Sequence, residues 1–214
     1  FLFESNDIIS EKGLLNNYDL LIKNFNSYTE NSSSYKENED YEVFGSLLLK
    51  TSLPLIKDNQ YSQSYLKPII ALRYSPTNTK DISDRDIRLD YNNIFSFNRI
   101  GANEFVEGGR SISLGLEYEK HLNDNKIFGF NIANSISDKN NNNLPTKSKL
   151  NTTRTDFVGN ISFTPNKVLN FDYNFSYDKN FDGSNYDSVT TSINVNNFIT
   201  SFNFLSEDGI LSNN

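Results

Sequence analysis

Only a few side chains in this sequence fall into patterns that carry chemistry, and each pattern can be set against what its reaction would need. Asp178, Asn180 and Asp182 place oxygen donors at alternate positions, and Gly183 follows to make the bend, as at the opening of a calcium loop. Such a loop closes on a bidentate Glu at its twelfth position, where this chain has Val189. Asp, Asn and Gly also dominate ordinary hairpin loops, so this set stands as a candidate metal site beside the reading of a polar turn. Glu37, Glu39, Asp40 and Glu42 would gather divalent cations near phosphorylated lipids, although a solvated loop accounts for them as well. Asp81, Asp84, Asp86 and Asp90 lack any regular ligand spacing. The one histidine, His121, lies beside Asp124 in a short turn, a poor place to assemble a serine triad. Arg99 and Glu107 could pair to hold a loop in place, and Gly108-Gly109 would then let the backbone turn sharply into the next element. The plain alternative is a hydrated surface pair worth about 0–1 kcal/mol.

Several chemistries fall away on composition. The 214 residues include no Cys, which removes thiol catalysis, disulfides and zinc ribbons. There is no phosphate-cradling Gly-Lys loop, dinucleotide fingerprint or His-Glu zinc motif. The chain therefore reads as a non-enzyme that uses no cofactor. A net charge of −7 argues against a nucleic-acid partner, because phosphate neutralisation needs clustered Lys and Arg. No apolar run approaches the roughly 20 residues of a spanning helix.

The elements that would position these residues are strands. Asn (34) and Ser (26) make up more than a quarter of the chain, while aromatics reach 14 % with 17 Phe and 12 Tyr. Disordered chains lack such aromatics, and helices disfavour this much Asn. Period two is written along the sequence. Leu169, Phe171, Tyr173, Phe175 and Tyr177 alternate with Asn170, Asp172, Asn174, Ser176 and Asp178. Ile112, Leu114, Leu116 and Tyr118 alternate with Ser111, Ser113, Gly115, Glu117 and Glu119. Tyr41, Val43, Leu47, Leu49, Leu53 and Leu55 share one parity, and Leu66, Ile70, Leu72 and Tyr74 share another.

Connections alternate in length. Short turns fall at about 10–13, 56–62, 121–125, 165–167 and 196–197, and long polar loops at about 29–40, 75–105, 137–153 and 179–185. The parity flip at Asn196-Asn197 marks a two-residue hairpin, whose positive φ Asn tolerates. The pattern predicts an all-β, antiparallel up-and-down meander of about ten long strands. Ten to thirteen residues at about 3.4 Å each, tilted by about 45°, cross roughly 25 to 30 Å. Long strands with tight turns on one side and long loops on the other suit an outer-membrane barrel, with a wet or loosely filled interior. A soluble or surface-attached β-structural binding protein would show the same alternation, with its apolar face turned inward.

One stretch resembles a known family. YLKPIIALRYSP (65–76) leads into YNNIFSFNRIGANEFVEGGRSISLGLEYEK (91–120). This is similar to the barrel domain of the LptD family of LPS-assembly proteins, the organic solvent tolerance proteins. There a strand with a Pro-containing end leads into a long loop carrying N-x-F-S-x-x-R, then an acidic residue and a Gly pair. The matching positions are Asn93, Phe95, Ser96, Arg99, Glu107, Gly108 and Gly109, and the match spans about 55 residues. The resemblance implies an internal piece of an outer-membrane barrel (1–214) in a Gram-negative bacterium. It implies lipopolysaccharide and outer-membrane lipid as ligands, with an LptE-like plug lipoprotein and a periplasmic Lpt bridge as partners. The function implied is insertion of lipopolysaccharide into the outer leaflet. A general porin or substrate-specific channel stands as the alternative within the barrel class.

Overall fold

The computed structural model describes residues 1–30, 38–101, 105–122, 125–196, 198–207 and 210–213. Strand backbones must find hydrogen-bonding partners, and here they do so in a single antiparallel sheet of thirteen strands whose two end strands pair on one side only. In chain order these are β1 (Leu2–Glu4), β2 (Ile8–Ile9), β3 (Leu15–Thr29), β4 (Asn38–Ser52), β5 (Leu55–Asn59), β6 (Ser62–Ser75) and β7 (Gly109–Leu122). They continue with β8 (Ile127–Ser137), β9 (Phe157–Thr164), β10 (Leu169–Tyr177), β11 (Ser184–Val195), β12 (Phe198–Glu207) and β13 (Ile210–Asn213). Among the described residues no helix is long and apolar enough to cross a membrane.

The thirteen strands reduce to eleven arms in the order β1-β3-β4-β6-β7-β8-β9-β10-β11-β12-β13, with β2 on β3 and β5 on β6. β4 and β5 run as one arm along β6. Leu53 N still donates to Pro68 O at 3.1 Å, and the register passes from Ser52↔Ile69 to Leu55↔Leu66 without slipping. The gap falls at Pro54, which has no N–H to donate to the ladder. Residues 56–59, expected within a turn, therefore extend the arm, and the reversal is confined to Gln60 and Tyr61. β1 and β2 share β3 around a one-residue bulge, with Glu4↔Asp19 followed by Ile8↔Asn16. The order is linear, and no pairing joins β1 to β13 among the described residues.

The alternation resolves into two unlike faces. The parity that carries the apolar residues is exposed: Val43, Leu47 and Leu49 on β4, Ile70, Leu72 and Tyr74 on β6, and Phe202 and Phe204 on β12. Ile70 and Leu72 are each 47 % exposed. Isolated exposed apolar residues are unremarkable on a water-soluble protein, but a band running across many strands is a surface made for something other than water. The opposite parity (Phe44, Ser46, Leu48, Ile69, Ala71, Arg73, Ser111, Ser113, Ala133 and Ser135) is buried.

That mixed face of small, polar and a few apolar residues is covered by the two long connections. The described residues of 76–108 (76–101 and 105–108) and residues 138–156 fold back onto β4 and β6 to β9 and form the core of the molecule. Ile82, Leu89, Ile94, Ile100, Leu144 and Leu150 pack there with Ala133 and Val158. The two connections are stitched together: Ile82 N donates to Asn143 O at 2.9 Å, and Asn143 Nδ2 donates to Thr79 O at 2.9 Å. The covered face is thus packed by the chain's own loops at this end. The reason lies in the connections themselves, which carry enough apolar residues to need a surface of their own.

Candidate functional site

The residues singled out by the motif sit where the first long connection returns to the sheet. Asn93 closes the turn that starts it. Its Oδ1 accepts from Asp90 N at 2.9 Å and its Nδ2 donates to Arg88 O at 3.0 Å, while Asp90 Oδ1 accepts from Asn93 N at 3.0 Å. The backbone is thereby turned so that Phe95 points at the sheet. Its ring lies over Gly115 of β7, where a Cβ would collide with it, and Tyr91 meets it edge-on at 5.6 Å. Gly115 is paired with Ile69 and Ala133, so two small residues form the floor on which the aromatic rests. Ser96 N donates to Asn93 O at 2.9 Å, and Ser96 lines a cavity of about 490 Å³ between this connection and β3 and β4.

Arg99 is 1 % exposed and every one of its donors is met. Nε donates to Glu107 Oε2 at 2.9 Å, and Nη2 donates to Glu107 Oε1 and to Ser111 Oγ at 3.0 Å. Nη1 donates to Ser135 Oγ at 2.6 Å and to Ser113 Oγ at 3.4 Å. A guanidinium has five N–H donors, so this site uses the whole inventory. Ser113 and Ser135 are cross-strand partners on β7 and β8. Their small side chains leave room for the guanidinium between loop and sheet.

Glu107 is shared. Arg73, on the covered face of β6, brings Nη1 to 3.3 Å from Glu107 Oε1 and donates from Nη2 to the Glu107 carbonyl. Burial alone would raise the Glu107 carboxyl. The Arg99 and Arg73 charges and the Arg99 hydrogen bonds outweigh it and hold the group below its ordinary value. Immediately after, Gly108 passes so close to Thr77 O that no side chain would fit, and its N donates to Thr79 Oγ1 at 2.8 Å. Gly109 enters β7 at φ +98, in the region that favours glycine.

Arg73, Ser135 and Thr79 complete this anchor and were not singled out from the sequence. Arg73 had a legible signal: it is the one charged residue in the run PIIALRY, at the parity opposite Ile70 and Leu72. Thr79 had none, since its partners lie about thirty and sixty residues away at Gly108 and Asn141.

The connection is tethered again at its far side. Arg88 lies over Tyr186 at 4.1 Å and pairs with Glu207 at the end of β12. Lys147 of the second connection bridges Asp86 and Glu207 at 2.9 Å each. Both loops therefore reach from β6–β9 to β12, and the sheet curls around them.

The remaining candidates stay apart from this cluster. Asp178 Oδ1 accepts from Asn180 N at 2.7 Å, and Asp178 N donates to Gly183 O at 2.9 Å, so this carboxylate shapes a turn. Among the described residues no group of three or more His, Cys, Asp or Glu could hold a metal. His121 pairs with Glu119 and meets Tyr65 edge-on at 5.7 Å; Asp124 lies outside the described residues. Of the early acidic set, Glu37 is also outside them, and Glu42 pairs with Lys80 at 2.6 Å.

A long antiparallel meander, apolar on its exposed face and covered on the other by its own loops, is the kind of wall from which outer-membrane β-barrels are built. The chain belongs to the LptD family, LPS transport system D, whose profile matches residues 13–213. The family is one of transport and assembly components. No curated protein matches the chain.

Proposed function

We propose that this chain is part of the wall and loop filling of an outer-membrane barrel that inserts lipopolysaccharide into the outer leaflet of a Gram-negative outer membrane. The observation that carries the reading is the pairing of an exposed apolar band with a loop core locked onto the opposite face through Arg99, Glu107 and Arg73. Lipid accepts only a wall whose backbone is fully paired and whose outward side chains are apolar. The linear sheet order fits a wall completed by further strands beyond β1 and β13, which removes the open edges. A periplasmic Lpt bridge would deliver the lipid, and an LptE-like lipoprotein would occupy interior space that these loops leave open.

The loop core anchored on the covered face favours this role over that of a porin, whose conductance needs a path clear of such packing. The anchor acts on position alone, with no bond made or broken. Deleting residues 96–109 from the complete protein tests the reading. Surface delivery of lipopolysaccharide and the permeability barrier should both fall while the barrel still reaches the membrane. Unchanged delivery with the deletion in place would remove the anchor from the mechanism.

A further inference from the structure

We propose that the apolar face carries a binding groove for a single lipopolysaccharide molecule, with an acyl chain along the wall and a phosphate on Arg110. The proposal rests on the barrel reading above. The groove has a volume of about 660 Å³ and lies at the long-loop end of the sheet. Its floor is two rungs of the outward ladder: Leu47 opposite Tyr74, and Leu49 opposite Leu72, which continues through Ile112 to Ile136. Side chains on one face repeat at about 7 Å along a strand, so exposed Ile70 and Leu114, paired one rung further on, continue the apolar track along β6 and β7.

The outward polar groups, Arg110 and Asp138, sit at its rim, while Arg73, Ser111 and Ser137 border it from the opposite parity. Arg110 is exposed, faces Tyr74 across the β6–β7 ladder, and holds its guanidinium over the Tyr74 ring at 5.5 Å. It makes no ion pair among the described residues, in contrast to Arg73, Arg88 and Arg99. Asp138 lines the same rim, and its N donates to Arg110 O at 3.1 Å. A cation on the lipid side of a barrel costs least at the interface, where a tyrosine also belongs. A guanidinium held by an aromatic ring, without a carboxylate partner and above an apolar track, complements an anionic headgroup on an acyl chain. The neighbouring carboxylate adds an acceptor for hydroxyl or amide N–H groups, which a phosphorylated sugar lipid carries together with its phosphate. The long-loop end faces the outer leaflet, where that lipid resides on the proposed function.

The test uses the full-length protein in phosphatidylcholine nanodiscs doped with lipopolysaccharide, with retained lipid counted by native mass spectrometry. Arg110→Gln should retain about fivefold less lipopolysaccharide, the effect of one basic residue at a membrane surface. Removing the lipid's phosphates should lower retention on the unsubstituted protein by a similar factor and make Arg110→Gln silent. Lys57→Gln, which removes an exposed charge at the short-turn end, should change nothing. Equal retention by Arg110→Gln overturns the proposal. So does phosphatidylglycerol held as well as lipopolysaccharide with the same dependence on Arg110, which would make this an ordinary phospholipid site. Failure of the unsubstituted protein to enter the nanodisc would instead overturn the barrel reading, so the two outcomes are distinct.

Discussion

Glu107→Gln is the sharpest perturbation of the loop anchor. The carboxylate takes the Arg99 Nε bond at 2.9 Å, the Arg99 Nη2 bond and the Arg73 ion pair at 3.3 Å. The amide keeps one acceptor oxygen and turns its NH₂ towards guanidinium donors, so two charge-assisted interactions disappear. At about 1.5–3 kcal/mol each, the loss is about 3–6 kcal/mol. Removing one partner of a buried ion pair independently gives about 3–5 kcal/mol, because two buried cations remain. A cost near 4 kcal/mol raises the opening constant of the connection about a thousandfold. Hydrogen exchange in the full-length protein reads this directly. The amides of Gly108, bonded to Thr79, and Ile82, bonded to Asn143, should lose about three decades of protection. Amides of the β10–β11 ladder should be unaffected. Protection of Gly108 and Ile82 unchanged to within about threefold would refute the argument that Glu107 locks the loop.

The same carboxylate sets a pH window. Its folded value lies below the ordinary 4.5, so its contribution is complete above that pH and is lost as the pH falls through the depressed value; proteolysis of 76–108 should stay slow at pH 5 and accelerate well below it. Arg99→Lys should loosen the loop despite keeping the charge, because an ammonium has three donors for a site that engages five; exchange at Gly108 is the readout. Gly115→Ala should cost about 1–3 kcal/mol by pushing Phe95 off its floor, seen as a lower melting midpoint, and Phe95→Leu in the same chain should recover most of it. The 214-residue chain by itself should aggregate in detergent-free buffer, since its apolar band and both sheet edges are exposed; a monodisperse, cooperatively melting species would contradict the outward orientation of that band.

The strands and their faces were legible residue by residue because a strand's side-chain period is local. Leu169 to Tyr177 alternates without a fault, and it is β10 with its odd positions on the apolar face. Asn196 stood out because few side chains tolerate a positive φ, and it adopts φ 54 between Val195 and its partner Phe198. The pairing of Arg99 with Glu107 was visible as a possibility, since opposite charges eight residues apart in one loop can meet. Arg73, Ser111, Ser113 and Ser135 joining that pair was not. They come from three strands, and only the docking of the loop brings their atoms within hydrogen-bonding distance.

Alternation alone set which side chains share a face and, to within a few residues, most of the reversals of an antiparallel meander. It left open which face meets solvent or lipid and which is covered, because a sandwich core and a barrel exterior are written with the same alternation. The docking of the loops settles it. Residues 76–108 and 138–156 carry their own apolar residues and bury them against the serine-, alanine- and glycine-bearing face. The aromatic and aliphatic face is left outward, for the physical reason that a loop core and a sheet can share only one surface.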